Sequence, residues 1–389
     1  MKVDDLLLRN PSVALAPADA GYLAYDVESS RLHRLNPAAA LIVELSDGTR
    51  TPVHLIDQLA PLIAGNGREG CVRWIETAAA DGLLTSLAPG DPVPAGPSPE
   101  DFALRASELR SDGHVLAAFV CQHYATHLLP DEADQWAALG ELAHIVGRRE
   151  DAREAYERYT ELEPGDAEVE QILVALRDEP PPARAPDSCI VQLYARFAEF
   201  YEKNMCTDLE YEAPARLAEA LDAELGAAAA LDVLELGCGT GLAGRDLRRR
   251  ATRLVGIDLS PDMVAHARST GLYDALEVAE ITEWLARSRA SDFDLVAACD
   301  TLIYFGDLRQ VMIPAARRIR AGGRFAFTVE RGDADPFRLT DSGRYVHTES
   351  HIRAAAQDAG LTVATVAEHV LRYEYGQPVV GLVAVLGRT

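Results

Sequence analysis

The sequence predicts a multidomain α/β protein with an N-terminal α+β module over residues 1–88, a central all-α segment over residues 98–178 and a C-terminal α/β domain over residues 188–389. Two stretches between these segments, residues 89–99 and 179–186, hold too many prolines for the interior of a helix or a sheet. The middle segment repeats with a period of 34 residues. The last segment alternates apolar runs with helical stretches, which is typical of a parallel sheet.

Composition excludes several classes of protein. The 389 residues include 37 basic and 61 acidic ones, for a net charge of −24, which disfavours nucleic-acid binding because phosphate contacts need clustered cations. No apolar run reaches the roughly 18 residues of a membrane span, and the N-terminus does not resemble a signal peptide, so we expect a cytoplasmic protein with no membrane partner. Six scattered cysteines without a C-x-x-C pair indicate reduced thiols and no metal site.

The first segment predicts three strands followed by three helices. The strands are V-A-L-A from residue 13, G-Y-L-A-Y-D from 21 and R-L-H-R-L-N from 31, with a turn between the last two. Helical patterns cover residues 37–46, 52–64 and 69–84. This order predicts a winged-helix-like α+β module.

The first segment also contains L-H-R-L-N-P before a helix, D-G after it and D-G-L-L at the end. In this order of motifs, residues 10–86 resemble the PqqD family, whose members recognise peptides for enzymes that modify ribosomally made peptides. The resemblance implies that a leader peptide adds as a strand beside residues 31–36 and packs against the helix over residues 69–80. The implied contact residues are Leu32, His33, Arg34, Leu35 and Arg73. A winged-helix DNA reader and an inert docking domain remain the alternatives.

The middle segment resembles tetratricopeptide repeats. A shift of 34 residues places Trp136 on Phe102 and Pro164 on Pro130, and the second copy reads W-A-A-L-G-E-L-A-H, D-A-R-E-A-Y and E-P-G-D. Such repeats serve as interaction scaffolds or spacers, so this segment is either a spacer or a contact for a partner modification enzyme. His123 and His127 lie four residues apart, a spacing that can bind metal, but packing is the preferred explanation because no H-E-x-x-H motif is present.

The third segment opens its sheet with L-D-V-L-E-L-G-C-G-T-G over residues 231–241. Glycines at the end of a strand let a ligand approach the backbone, and the following helix offers unpaired N–H groups. The next strand ends at Asp258, whose carboxylate suits the two hydroxyls of a ribose. Gly239, Gly241 and Gly244 also satisfy the G-x-G-x-x-G spacing of NAD-binding proteins, so the glycines alone leave the cofactor open.

The position of the strand end makes the pattern E-x-G-x-G-x-G, and residues 188–388 resemble class I S-adenosylmethionine (SAM)-dependent methyltransferases. The resemblance implies a seven-stranded Rossmann-like sheet with a terminal antiparallel hairpin, SAM as cofactor and S-adenosylhomocysteine as product. The residues that it implies for the cofactor lie at successive strand ends and on the preceding helix: Tyr194, Tyr201, Glu235, Gly237, Cys238, Gly239, Gly241, Asp258, Leu259, Met263, Glu280, Ile281, Cys299 and Asp300.

Catalytic candidates lie near the expected acceptor side. His347 titrates near neutrality and is a candidate general base, with an ordinary loop histidine as the alternative, and Tyr304 follows the fourth strand. No N-P-P-Y signature is present, which favours an oxygen acceptor or a peptide-specific site.

Taken together, the sequence predicts a SAM-dependent methyltransferase that modifies a ribosomally synthesised precursor peptide recognised through its leader. One alternative is a small-molecule O- or N-methyltransferase whose front domains are scaffold. Another is a non-catalytic SAM-binding interaction protein.

Overall fold

The computed structural model describes residues 5–59, 61, 67–197, 205, 209–226, 230–288, 290–333, 336–374 and 376–389. The chain divides into two compact units, Met1–Pro164 and Gly165–Thr389. No helix among the described residues is long and apolar enough to cross a membrane.

The N-terminal unit begins with two small antiparallel sheets. Strands β2 (Val13–Ala18), β3 (Gly21–Asp26) and β4 (Arg31–Leu35) form a meander, as the sequence predicts. A second pair, β1 (Leu6–Arg9) with β5 (Leu84–Leu87), is not predicted from the sequence. Their helices are α1 (Pro37–Leu45), α2 (Pro52–Leu59) and α3 (Gly67–Ala80).

Turn chemistry corrects one predicted helix boundary and explains another that is confirmed. The helix predicted to reach residue 84 ends at Ala80, because Gly82 takes a φ of 82° and turns the chain into β5. At the other end of the module, Asn36 caps α1 by accepting the Ala39 N–H at 2.8 Å, which fixes where β4 gives way to the helix.

Four helices complete this unit: α4 (Pro99–Ser111), α5 (Val115–Leu128), α6 (Ala133–Ile145) and α7 (Arg149–Leu162). They form two helical hairpins. Gly140 lies against the Tyr156 ring, so closely that a Cβ would come within 2.6 Å of it, which shows why a small residue is needed where α6 and α7 meet. Helix α8 (Ala167–Leu176) belongs to the C-terminal unit and packs on α9 (Asp187–Phe197).

The C-terminal unit is built on one mixed sheet. Its main strands are β6 (Leu231–Leu236), β7 (Ala251–Asp258), β8 (Ala275–Val278), β9 (Phe293–Ala298), β10 (Ile319–Arg331), β13 (Thr362–Glu374) and β14 (Gln377–Gly387). The parallel strands stand in the order β8-β7-β6-β9-β10, and the terminal hairpin continues the sheet because β14 pairs antiparallel with β10 and β13 pairs with β14. This is the predicted seven-stranded sheet, and the fold class is confirmed.

A short hairpin enlarges the sheet to nine strands. Strands β11 (Phe337–Leu339) and β12 (Tyr345–His347) pair with each other, and β12 runs parallel to the last residues of β10, Glu330 and Arg331. Buried apolar side chains cover both faces of the sheet. The helices that supply them are α10 (Ala213–Leu225), α11 (Gly244–Arg248), α12 (Pro261–Ser269), α13 (Ile281–Ala286), α14 (Arg309–Arg318) and α15 (Glu349–Asp358).

Candidate active site

The loop after β6 has the geometry of a ligand cradle. Gly237, Gly239 and Gly241 have φ values of 67°, 52° and 98°, which side chains rarely adopt. A Cβ on Gly237 would collide with the side chain of Thr301. A Cβ on Gly239 would meet no protein atom within 4 Å, because open space lies above that backbone.

That space belongs to a cavity of about 620 Å³ at the carboxyl ends of the parallel strands. Ligands of open α/β sheets bind at this edge. Eleven of the predicted residues line the cavity. Ten are predicted cofactor residues, namely Tyr194, Gly237, Gly239, Asp258, Leu259, Met263, Glu280, Ile281, Cys299 and Asp300, and the eleventh is Tyr304 from the catalytic pair. The structure therefore brings together residues that are up to 110 positions apart in the sequence.

Asp258 ends β7 and is held by the backbone of two loops. Its Oδ2 accepts the Gly239 N–H at 2.8 Å and its Oδ1 accepts the Ser260 N–H at 2.9 Å. Burial raises the pKa of Asp258, and these backbone hydrogen bonds oppose the shift by favouring the charged form. The carboxylate is thereby fixed at the wall of the cavity, with lone pairs left to accept a ligand hydroxyl.

Glu280 follows β8 and caps α13. Its Oε2 accepts the Glu283 N–H at 2.7 Å and the Thr282 hydroxyl at 2.6 Å. Its Oε1 lies 3.9 Å from a guanidinium nitrogen of Arg184, which also lines the cavity. Glu280 thus has a structural role as a helix cap, and its second oxygen remains at the cavity wall.

Two tyrosines meet at the cavity. The hydroxyls of Tyr194, on α9, and Tyr304, in the 3-10 turn after β9, lie 2.9 Å apart. Burial raises the pKa of Tyr194 to about 12. The Tyr194 hydroxyl is therefore neutral at physiological pH and acts as a hydrogen-bonding group.

A buried network of charges lies behind Asp300. Arg372 of β13 donates to Asp300 at 2.9 Å, to Glu374 at 2.7 Å and to Glu330 at the end of β10. Arg344 joins Glu330 and Glu374 at 2.7 Å each. Burial raises the pKa of Asp300 and the Arg372 charge opposes that shift. The network ties one wall of the cavity to the terminal hairpin.

The structure does not bring every predicted residue to the cavity. Glu235 lies behind the loop, accepts the Tyr273 hydroxyl at 2.8 Å and is almost fully buried, and burial raises its pKa to about 8. Cys238 is buried, and neither it nor Gly241 is among the lining residues. Tyr201 lies outside the described residues.

The prediction of His347 as a general base at the acceptor is not supported by its position. The side chain is completely buried on β12 and its Nδ1 lies 3.1 Å from the Nδ1 of His351. Burial, with a further contribution from His351, lowers the pKa of His347 to about 3. The sequence gives no sign of the β11–β12 hairpin, which places this histidine in the core instead of a loop.

Four lining residues are missed by sequence reasoning: Arg184, Ile190, Thr301 and Phe305. Arg184 lies in the proline-rich stretch, where its backbone forms a bridge with Phe305. The composition of that stretch indicates only a linker. Thr301 directly follows Asp300 in the sequence. Its side chain lies so close to Gly237 that no Cβ would fit there, and this contact is seen only in the structure.

The predicted peptide-binding residues lie on both faces of β4. Leu35 packs in the core, and Arg31 on the same face pairs with Asp81 after α3 at 3.1 Å, so His33 between them also faces that side. Leu32 and Arg34 are exposed on the opposite face. The Leu35 side chain is therefore unavailable to a ligand, which corrects its predicted role to a backbone contact at most.

Strand β4 is the edge of its sheet. It pairs with β3, and the described part of the chain places no strand on its other side. The Nε2 of His33 is buried and has no hydrogen-bond partner among the described residues. Arg73 is exposed on α3. An edge strand with an unpaired polar atom beside it suits the addition of an extended peptide.

The cavity fits SAM on three grounds. The space over Gly239 would be filled by any Cβ, Asp258 presents a fixed carboxylate for ribose hydroxyls, and the apolar side chains of Leu259, Met263 and Ile281 offer a surface for a purine. Among the described residues, no three or more His, Cys, Asp or Glu side chains are placed together to hold a metal ion.

Comparison with known proteins agrees with this assignment. Residues 234–325 match the model of a family described as a methyltransferase domain. The ubiquinone biosynthesis O-methyltransferase of Xanthomonas oryzae pv. oryzae (strain PXO99A) is 33% identical over 106 residues, or 26% of this chain and 44% of that protein. The one from Xylella fastidiosa (strain 9a5c) is 31% identical over 103 residues, 25% of this chain and 42% of that protein.

The chain therefore spans less than half the length of these curated relatives. Among solved structures, an S-adenosylmethionine dependent methyltransferase from Mesorhizobium loti aligns with 24% identity over 44% of this chain and 96% of that one, with a TM-score of 0.37. From the sheet order, the glycine loop and the family match, the C-terminal half of the chain contains a class I SAM-dependent methyltransferase domain.

Proposed function

We propose that the chain transfers a methyl group from SAM to a ribosomally synthesised precursor peptide, which its N-terminal module holds by the leader. The methyl-transfer part rests on one observation above the others. The open space over Gly239 lies in the same cavity as the fixed Asp258 carboxylate, at the carboxyl ends of the parallel strands.

The residues of the cavity act mainly by positioning. SAM, when bound, supplies a methyl group on a sulfonium that is already activated for displacement. Asp258 and Glu280 would hold its hydroxyl and amine groups, and Tyr194 with Tyr304 would exclude water and orient the acceptor. The described lining residues include no histidine. With Asp258 and Glu280 assigned to SAM, the groups available to an acceptor proton are the Tyr194 and Tyr304 hydroxyls and the Asp300 carboxylate.

The peptide part rests on the edge strand β4. A leader that adds to this edge would gain backbone hydrogen bonds, and its side chains would meet Leu32 or His33 on alternate faces. Tethering the leader raises the effective concentration of the rest of the peptide and tolerates a loosely selective catalytic cavity. The helical repeats of α4–α7 would serve as a spacer or as the contact for a partner modification enzyme.

The test combines methyl-labelled SAM, the full chain and the short peptides encoded beside its gene, each with and without its leader. Leu32→Glu places a charge at the β4 edge, whereas the matched control Leu41→Glu changes an α1 leucine of the same 40% exposure. We expect Leu32→Glu to lower kcat/KM for the leader-bearing peptide about tenfold, the equivalent of about 1.4 kcal/mol. Equal activity on leaderless peptides would contradict leader recognition.

A second candidate function is methyl transfer to a small-molecule hydroxyl. It is favoured by the curated relatives, which carry the name of ubiquinone biosynthesis O-methyltransferases. If the acceptor is a small-molecule hydroxyl, the full chain in the same assay should label that acceptor and should label no peptide. Bound SAM without transfer to either class would instead indicate a non-catalytic SAM-binding protein.

A further inference from the structure

Tyr273 lies between α12 and β8, and its side chain packs against the glycine loop, residues 237–241, and the start of α11. A Cβ on Gly244 would come within 2.1 Å of the Tyr273 hydroxyl oxygen, and a Cβ on Gly241 within 3.3 Å of its ring. A Cβ on Gly256, in β7, would come within 2.9 Å of the same ring. Three glycines therefore leave the room that this one side chain fills.

The segment that carries Tyr273 is fastened to the helix that follows the glycine loop. Arg248, at the end of α11, donates to the Leu272 carbonyl at 3.3 Å and to the Asp274 carboxylate at 2.7 Å. The same Asp274 oxygen accepts the Leu254 N–H of β7 at 2.7 Å. Because the residues on both sides of Tyr273 are held in this way, its ring is fixed against the glycines.

The hydroxyl of Tyr273 donates to the Oε2 of Glu235 at 2.8 Å. Glu235 is 1% exposed, and its carboxyl group forms no ion pair among the described residues. Burial, with a contribution from the Asp258 carboxylate, raises the pKa of Glu235 to about 8 against the opposing effect of this hydrogen bond. Burial also raises the pKa of Tyr273. At pH 7 the two side chains therefore meet as neutral groups.

Glu235 and Tyr273 lie behind the cavity wall and not in it. Neither residue lines the cavity, whereas the glycine loop does so through Gly237 and Gly239. The Gly239 N–H in turn donates to the Asp258 carboxylate at 2.8 Å. A shift of the loop would therefore change both the open space over Gly239 and the support of Asp258.

We propose that Tyr273 is a positioning residue for the cofactor, whose ring holds the glycine loop from behind and whose hydroxyl is fixed by Glu235. Glu235 then serves as a neutral hydrogen-bond acceptor and not as a charged ligand of SAM. The third glycine of the G-x-G-x-x-G spacing, Gly244, is needed here to make room for Tyr273. The inference rests on the proposed placement of SAM over the glycine loop.

The experiment measures binding of S-adenosylhomocysteine to the full-length chain by calorimetry. Tyr273→Phe should weaken binding roughly 2- to 12-fold, the effect of one buried hydrogen bond, and Tyr273→Leu should weaken it further because the ring is lost as well. Glu235→Gln keeps an oxygen for the Tyr273 hydroxyl and should bind within about twofold of the wild type, whereas Glu235→Leu should lose at least as much as Tyr273→Phe. The control is Tyr373→Phe, on the exposed part of β13, which should bind normally.

Gly244→Ala tests the same contact from the side of the loop. Its methyl group would meet the Tyr273 hydroxyl, so the ring or the loop must move and binding should weaken. Combined with Tyr273→Leu, which vacates that space, it should lose little more than either single variant. Fully additive losses would show that the two residues act separately and would overturn the proposal.

Equal affinity in the wild type and Tyr273→Leu would also overturn the proposal. A loss in Glu235→Gln as large as that in Tyr273→Phe would show that binding needs the charge of Glu235. No binding by the wild type would remove the proposed cofactor site and this inference with it. Urea unfolding without ligand completes the test, because a purely structural role would lower the unfolding midpoint and leave the affinity of the folded chain unchanged.

Discussion

The Tyr194 and Tyr304 hydroxyls lie 2.9 Å apart and join helix α9 to the turn after β9 at the cavity. The two residues are 110 positions apart in the sequence. The contact makes α9 part of the cavity wall, although the helix comes before the sheet in the chain. Any molecule that fills the cavity therefore meets a wall whose position depends on this pair.

The tyrosine pair predicts non-additive kinetics. Tyr194→Phe and Tyr304→Phe each remove the same hydrogen bond, so we expect each to lower kcat/KM by roughly 2- to 12-fold, the equivalent of about 0.5–1.5 kcal/mol. The double variant should lose little more than either single one. Initial rates with labelled SAM measure this cycle, and Tyr373→Phe on the exposed part of β13 is the control. Fully additive losses would show that the two hydroxyls act separately.

The position of the Asp258 carboxylate predicts that its negative charge contributes to the affinity for S-adenosylhomocysteine. Asp258→Asn replaces one acceptor by an amide donor facing a backbone N–H of Gly239 or Ser260, so the loop and the ribose contact both suffer. We expect S-adenosylhomocysteine to bind about 10- to 100-fold more weakly by calorimetry. Asp262→Asn, an exposed acid in the first turn of α12, should bind normally. Normal affinity in Asp258→Asn would remove this residue from the site.

The buried guanidinium of Arg372 predicts a large loss of stability. Arg372→Ala leaves Asp300 buried without its ion-pair partner and leaves Glu330 and Glu374 with Arg344 alone, which costs about 3–5 kcal/mol for a broken buried pair. The urea midpoint of the transition that includes the C-terminal unit should fall accordingly. Arg331→Ala, whose guanidinium pairs on the surface with Glu368, should shift it little. A small shift for Arg372→Ala would show that water replaces the pair.

The His347 environment predicts acid sensitivity. Because burial lowers the folded pKa of His347 to about 3, the unfolded chain takes up the proton first, near a pKa of about 6.5. The stabilisation is complete above pH 6.5 and is lost as the pH falls from there toward 3. His347→Leu should flatten this part of the profile of unfolding midpoint against pH, whereas His266→Leu on the exposed side of α12 should not. An unchanged profile in His347→Leu would contradict the assigned cause.

The sequence correctly predicts the site residues that lie at the ends of the parallel strands. Gly237, Asp258 and Glu280 each lie at or just after the end of a predicted strand, and the carboxyl ends of parallel strands meet at one edge of the sheet. The prediction of His347 as a general base is not supported by the structure. The hairpin that buries this side chain has only three residues per strand, which is too short to show a pattern in the sequence. Two partners of Arg372, Asp300 and Glu330, could not be predicted, since they lie at the ends of other strands and are brought to Arg372 by the register of the sheet.

The most direct measurement of the central claim is equilibrium dialysis of methyl-labelled SAM against the full-length chain and against Gly239→Val. The valine Cβ would project into the cavity with no protein atom within 4 Å, although it strains a backbone with a φ of 52°. The account predicts saturable binding at one site per chain for the wild type and loss of binding in a variant that retains its circular dichroism. No binding by the wild type, or equal binding by both proteins, would contradict it.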